Sequence, residues 1–273
     1  MLDNTSFLQA LFAIRLLFTY DFRMTRDGLQ ITLDKILPSL YRFSAAVSTD
    51  LLLAEQNIVD AVTIFLMENK DFLSTEDYDL NDRDQRVSFS KFLYNEVLFE
   101  IYFLIEKKTV IKQGVSSGLT PEYEEFNQLN CQERAVLYLK EVESFSIEEL
   151  QKLMSLKYHE IIQIFYNAKD KILRDSKKDQ EIDNFMEQVS NSRNFQLINS
   201  YVYDTCRESQ RSRVETLMLH SQDLRDYCQN KESERSFLIQ LIPEISLKKS
   251  DLSIVRREVI SIVNDIMPKD EVN

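Results

Sequence analysis

LNCQERAVLYLKEVESFSIEELQKLMSLKYHEIIQIFYNAKDKILRD, residues 129–175, holds the clearest local instructions in the chain. Asn130 with Glu133, and Ser146 with Glu149, each set a short polar side chain three residues ahead of a glutamate. In that arrangement the first side chain accepts from a free backbone amide of the opening turn, and the glutamate accepts from the amide of the capping residue. Each pair predicts a helix start, and the second helix, IEELQKLM, is followed after Ser155 by a third. In the third, Ile161, Phe165, Ala168 and Ile172 recur at four, three and four residues, the spacing of one helix face turned to a core. Two short helices with a tight turn between them make a helix-turn-helix.

On its N-terminal side this unit is preceded by GVSSGLTP, residues 114–121, which combines two glycines with two serines and Pro121 and reads as a linker. Further upstream, ITLDKILPSLYRFSAAV predicts a helix from about Asp34, and Ser48, Thr49 and Asp50 supply capping side chains for the next. There Ala54, Ile58, Ala61 and Phe65 mark the inward face, with Val62 and Leu66 beside them. Glu55, Gln56, Asp60 and Thr63 fall on the outer face, free for a partner. LSTEDYDLNDRDQR, residues 73–86, reads as an acidic loop. VSFSKFLYNEVLFEIYFLIEKK then returns to a helix closed by Lys107 and Lys108, cations that a helix C-terminus favours.

The whole chain has 273 residues, 33 Lys and Arg against 45 Asp and Glu, a formal charge of −12, three Gly, four Pro and no Trp. At ~150 residues per domain, such a length predicts about two domains with ample core. So few glycines and prolines leave little punctuation for hairpins. The expectation is an all-α protein with an N-terminal helical domain over 1–110, a linker over 111–122, a helix-turn-helix domain over 123–178 and a helical extension over 185–273. A charged break at 175–185 sets the extension apart. The acidic balance argues against a free-standing nucleic-acid binder, because phosphate needs local positive potential. It permits a protein that meets DNA inside a larger complex. Phe7–Tyr20, an apolar run interrupted by Gln9 and Arg15, falls short of the ~20 residues that span a bilayer and reads as a buried amphipathic helix. MLDNTS carries no basic residue of the kind a signal peptide needs. Cys131, Cys206 and Cys228 are too few and too scattered for a disulfide framework. They fit a reducing compartment, so the expected location is the cytoplasm, without membrane association.

Residues 129–175 resemble region four, the promoter-reading domain of bacterial RNA polymerase sigma factors, through Leu129, Glu133, Arg134, Leu137, Ser146, Glu148, Glu149, Leu150, Leu153, Ile161, Ala168 and Leu173. LPSLYRFSAAVSTDLLLAEQNIVDAVTIFL, residues 37–66, resembles sigma region two, with Ala54 and Glu55 where the family's Ala-Glu-Asp begins and Asp60 at a family acidic position. The two stand in the family's order on either side of a linker, as in the compact extracytoplasmic-function type. The resemblance implies a region two that docks on core RNA polymerase and helps melt the promoter, with Glu55, Gln56, Asp60 and Thr63 on the contact face. It implies a region four that reads promoter DNA within that complex through Lys157, His159, Gln163, Lys169 and Arg174, and an anti-sigma factor as a further partner. The sequence also departs from the family. Ile162, Ile164 and Asn167 occupy positions that are often basic, and Asn95 and Glu96 replace an Arg-Asn cluster at the end of region two. Isoleucines facing a major groove reach thymine methyls and discriminate little else. A second expectation follows: a sigma mimic that binds polymerase or an anti-sigma factor without reading promoters.

The extension places Cys206, His220 and Cys228 in CRESQRSRVETLMLHSQDLRDYC, faintly similar to a zinc-binding anti-sigma domain. Leu224 and Tyr227 stand near the expected cysteine positions, leaving at most three soft ligands where structural zinc takes four. Ordinary thiols and no metal are expected. The amphipathic tail IPEISLKKSDLSIVRREVISIVNDIM would let the extension cover partner-binding surfaces of the first two modules. His159 and His220 are the only histidines, and no glycine-rich phosphate loop, Gly-x-Ser-x-Gly or Cys-x-x-Cys occurs. The expectation is a protein that is not an enzyme and carries no cofactor.

Overall fold

A computed structural model describes residues 26–69, 83–111, 123–176, 193–247 and 249–267, and its regular structure there is entirely helical. The apolar run at 7–20, most of the acidic stretch, the linker from residue 112 and the charged break beyond Ser176 lie outside the described residues.

Helices α1 (Arg26–Ser48), α2 (Leu51–Glu68) and α3 (Arg83–Ile111) pack on one another. The start of α1 lies two turns ahead of the expected Asp34. Gly28 and Pro38 discourage helix locally, and Pro38 sits inside α1 without an amide to donate. What holds the early turns is burial of Leu29, Leu33, Ile36, Leu37 and Leu40. Asp50 caps α2 as expected, its carboxylate accepting from the amides of Leu52 at 2.9 Å and Leu53 at 3.2 Å. The inward set Ala54, Ile58, Ala61, Val62, Phe65 and Leu66 is buried. Helix α3 begins at Arg83, inside the stretch read as a loop, and runs past Lys107 and Lys108 to Ile111.

Next come α4 (Glu124–Asn127), α5 (Cys131–Glu141), α6 (Ile147–Met154) and α7 (Tyr158–Ser176). Both capping boxes form: Asn130 accepts from the Glu133 amide at 2.9 Å and Ser146 from the Glu149 amide at 3.2 Å, and each glutamate accepts in return at 3.0 Å. Ile161, Phe165, Ala168 and Ile172 are buried, so the third helix turns the expected face inward. Helix α5 is enclosed on every side, touched by α1, α3, α6 and α7. Its Ala135, Val136, Leu137, Tyr138 and Leu139 are buried, and so are its charged Glu133, Arg134, Lys140 and Glu141. Arg134 is 7% exposed, and its guanidinium donates to three carbonyl oxygens: Val47 at 2.9 Å, Leu129 at 2.5 Å and Asn127 at 3.3 Å. The first of these ties α5 to the end of α1. Phe43 meets Tyr138 edge-on at 6.2 Å across the same seam.

The tight turn between α6 and α7 pivots on Ser155, whose φ of 53° is left-handed. A side chain there costs ~1 kcal/mol more than glycine does. Ser155→Gly is expected to raise the urea midpoint at unchanged slope, a gain of ~0.5–1 kcal/mol; a lower midpoint would count against strain at this turn.

The extension divides in two. Helices α8 (Arg193–Val202), α9 (Glu208–His220) and α10 (Gln222–Gln240) form a bundle around Ile198, Val202, Val214, Leu224, Tyr227 and Leu238. Its α10 touches α7. Helix α11 (Lys249–Ile266) leaves the bundle and packs on α1 and α2. Val255, Val259 and Val263, four residues apart, are buried there. It runs antiparallel to α1: Arg256 pairs with Asp34 at 2.6 Å, and Asn264 accepts from Gln30 at 3.2 Å and from Arg26. Among the described residues the amphipathic tail thus packs on the first module and not on the helix-turn-helix.

Candidate nucleic-acid and protein interface

Two helix faces carry the residues singled out from the sequence. On α7, His159, Gln163, Asn167, Asp170 and Arg174 follow at four, four, three and four residues, and all are exposed. Lys157 and Lys171 flank this stripe and are also exposed. Lys157 donates its backbone amide to Glu160 at 2.7 Å, which closes the first turn of α7, and Lys171 pairs with Glu133 at 2.5 Å. The stripe therefore offers Lys157, His159, Gln163 and Arg174 to a partner, diluted by Asp170. Ile162 and Ile164 do not face outward as the sequence suggests; both are half-buried against the core.

Lys169 departs from the expectation entirely. It is 6% exposed, and its ammonium lies 3.2 Å from Glu234 of α10 and 3.2 Å from Asp170. The rings of Tyr203 and Tyr166 stand 5.0 and 5.6 Å away. Lys169 is thus part of an internal seam, because the stripe Tyr158, Ile162, Tyr166 and Lys169 faces the bundle rather than solvent. Tyr158 donates to the Thr205 carbonyl at 2.6 Å, and the Tyr166 hydroxyl lies 3.1 Å from the Thr205 hydroxyl. Glu234 also accepts from Tyr203 at 2.8 Å and Lys231 at 2.8 Å. Burial alone would raise its carboxyl; Lys169, Lys231 and the Tyr203 hydroxyl reverse that and hold it down to about 2. Arg235 fastens the neighbouring position, donating to Glu141 at 2.7 Å and to the Val202 carbonyl at 2.5 Å. None of these partners on the bundle was legible as a site from the sequence.

On α2, Gln56 is exposed and donates to Asp60 at 2.7 Å. Glu55 is half-buried, with the Tyr41 hydroxyl at 3.5 Å, and Thr63 donates to the Val59 carbonyl at 2.7 Å. Gln56, Asp60 and Thr63 share one stripe with Leu52 and Met67, at spacings of four, four, three and four. Leu52 is 79% exposed and Met67 59% exposed. A polar centre bracketed by exposed apolar side chains on one helix face is a combination that protein partners use. Sequence reasoning missed Leu52 and Met67, although their shared spacing with Gln56 was there to be read.

Cys206, His220 and Cys228 are not brought together, and among the described residues no group of three or more His, Cys, Asp or Glu could hold a metal ion. Burial pushes the Cys131 thiol up to about 12, and burial with Glu232 pushes Cys228 up to about 11. Thiols held protonated in this way are poor nucleophiles and poor metal ligands. Among the described residues no helix is long and apolar enough to cross a membrane. Comparison with protein-family models, curated proteins and solved structures returns no match for this chain.

Proposed function

We propose that this chain is a sigma-like transcription protein that binds core RNA polymerase through the outer stripe of α2 and presents the α5–α7 helix-turn-helix to promoter DNA within that complex. One observation carries the reading. A helix-turn-helix with both capping boxes stands behind a three-helix module, and the α2 of that module exposes Leu52, Gln56 and Met67 along a single face that also carries the half-buried Asp60. On this reading Lys157, His159, Gln163 and Arg174 approach the DNA, the cations positioning on phosphate and the neutral side chains on base edges. The role is one of binding, without catalysis.

The test is capture of purified core RNA polymerase on the tagged, full-length protein. Leu52→Asp and Gln56→Lys change exposed side chains and are expected to leave thermal stability within ~0.5 kcal/mol. Each should weaken capture by about tenfold or more, the usual cost of damaging a contact near the centre of an interface. Undiminished capture by both variants would remove α2 from the interface, and no capture by the unaltered protein would remove polymerase as the partner.

A second reading is favoured by the burial of Lys169 and by Asp170 on the exposed stripe: a sigma mimic that binds polymerase or an anti-sigma factor and does not read promoters. It predicts capture that depends on α2 together with transcription that is indifferent to Lys157→Glu and Arg174→Glu.

A further inference from the structure

We propose that the Glu234 carboxylate holds, within the chain, the place of a nucleic-acid phosphate, so that the α8–α10 bundle masks an anion-binding face of α7 that becomes available when the bundle undocks. The proposal rests on the reading of α5–α7 as the DNA-facing unit and adds to it a masked cation and the group that masks it.

The covered face of α7 presents two hydroxyls and an ammonium at Tyr158, Tyr166 and Lys169, the groups that bond phosphate oxygens in protein–DNA interfaces. In the closed chain each of them meets an oxygen of the extension: the Thr205 carbonyl at 2.6 Å, the Thr205 hydroxyl at 3.1 Å and the Glu234 carboxylate at 3.2 Å. The seam contrasts with the one between α1 and α5, which buries Phe43, Val47 and Tyr138. On the bundle side, an edge-on contact of Tyr203 with Phe165 at 5.7 Å supplies an aromatic anchor. Around it are hydroxyls, a carboxylate and Arg235 on Glu141. Seams of that composition resemble exchangeable interfaces more than permanent cores. Undocking would expose Lys169 together with the Tyr158 and Tyr166 hydroxyls as a second face of α7, turned away from the outward stripe that carries Arg174. The competitor is then a polyanion with closely spaced phosphates, whose oxygens replace the three from the extension.

The experiment uses the full-length protein and a random-sequence DNA duplex, with hydrogen exchange of residues 158–169 followed in parallel. Glu234→Gln leaves the Lys169 ammonium without its buried counter-charge, which undocking and hydration relieve. Arg235→Gln loosens the bundle from the α5 side and leaves Lys169, Tyr158 and Tyr166 untouched. Both variants are expected to speed exchange in 158–169 by at least about tenfold, Glu234→Gln by about a hundredfold, while α2 stays protected. Both should bind the duplex about fivefold more tightly, with a salt dependence steeper by about one phosphate contact. Adding Lys169→Gln to either should cancel the gain. Faster exchange in 158–169 without tighter DNA binding would overturn the proposal, as would unchanged exchange in both variants or loss of protection in α2 at the same time. Polymerase capture through α2 is read separately, so its failure would strike the proposed function and leave this result standing on its own.

Discussion

Arg134→Leu is expected to destabilise the protein by roughly 3–5 kcal/mol, enough to unfold a large fraction of it under mild conditions. The guanidinium is buried, and it satisfies the carbonyls of Val47, Leu129 and Asn127 at once. Leucine fills most of the volume and answers none of those acceptors. Each buried carbonyl left without a donor costs about 1–3 kcal/mol. Burial draws the Arg134 pKa down from the ordinary guanidinium range, with Cys131 and Glu133 opposing that. Chemical denaturation read by far-ultraviolet circular dichroism measures the loss. Arg134→Lys should recover only part of it, since one ammonium cannot reproduce the planar fork that reaches all three oxygens. A midpoint within ~0.5 kcal/mol of the unaltered protein would show that the seam between α1 and α5 is held by packing alone.

Acid should release the bundle before it disrupts the rest of the fold. The folded pKa of Glu234 lies near 2, below the 4.5 of a free glutamate. A depressed carboxyl gives stability that is fully present above the unfolded pKa and is lost as pH falls through the folded one. The window therefore runs from about pH 5 down to about pH 2, and the shift corresponds to roughly 3 kcal/mol at neutral pH. Glu234→Gln should show that deficit at pH 7 and should converge with the unaltered protein near pH 2. Tyrosine fluorescence reports the seam directly, because Tyr158, Tyr166 and Tyr203 all line it. A constant gap between the two proteins across pH 2–7 would assign the stability to packing around Tyr203 instead of to charge. The same shift places the transition far from neutrality, so protonation of Glu234 is not a physiological trigger for opening.

Local grammar made much of this fold readable. The two capping boxes, the Asp50 cap and the inward faces of α2 and α7 each follow from spacings within a single helix, and each stands in the structure. What failed depended on partners distant in sequence. Lys169 reads as an outward cation because the helix-turn-helix taken alone leaves its position open; α10, some sixty residues later, supplies the second wall. The sequence names Arg134 only as a position of the region-four resemblance; its burial and its partners, three carbonyls, follow no sequence pattern. The early turns of α1 were hidden by Gly28 and Pro38, whose local cost is outweighed by apolar burial along the helix. Leu52 and Met67 were overlooked for a different reason: scattered surface leucines and methionines are normal, and these two gain meaning only from sharing a stripe with Gln56 and Asp60.

The return of α11 to α1 also bears on how the protein is made. Arg256 and Asp34 are 222 residues apart, so α1 and α2 acquire the covering of α11 only after more than two hundred further residues have left the ribosome. Bringing such distant segments together is slow, because the entropy of closing the loop is lost before any contact compensates it. Until then the apolar face that Val255, Val259 and Val263 will cover stands open to solvent. A nascent chain stalled before residue 249 would present that face to chaperones, and truncated versions of this protein should be recovered bound to them or as aggregates.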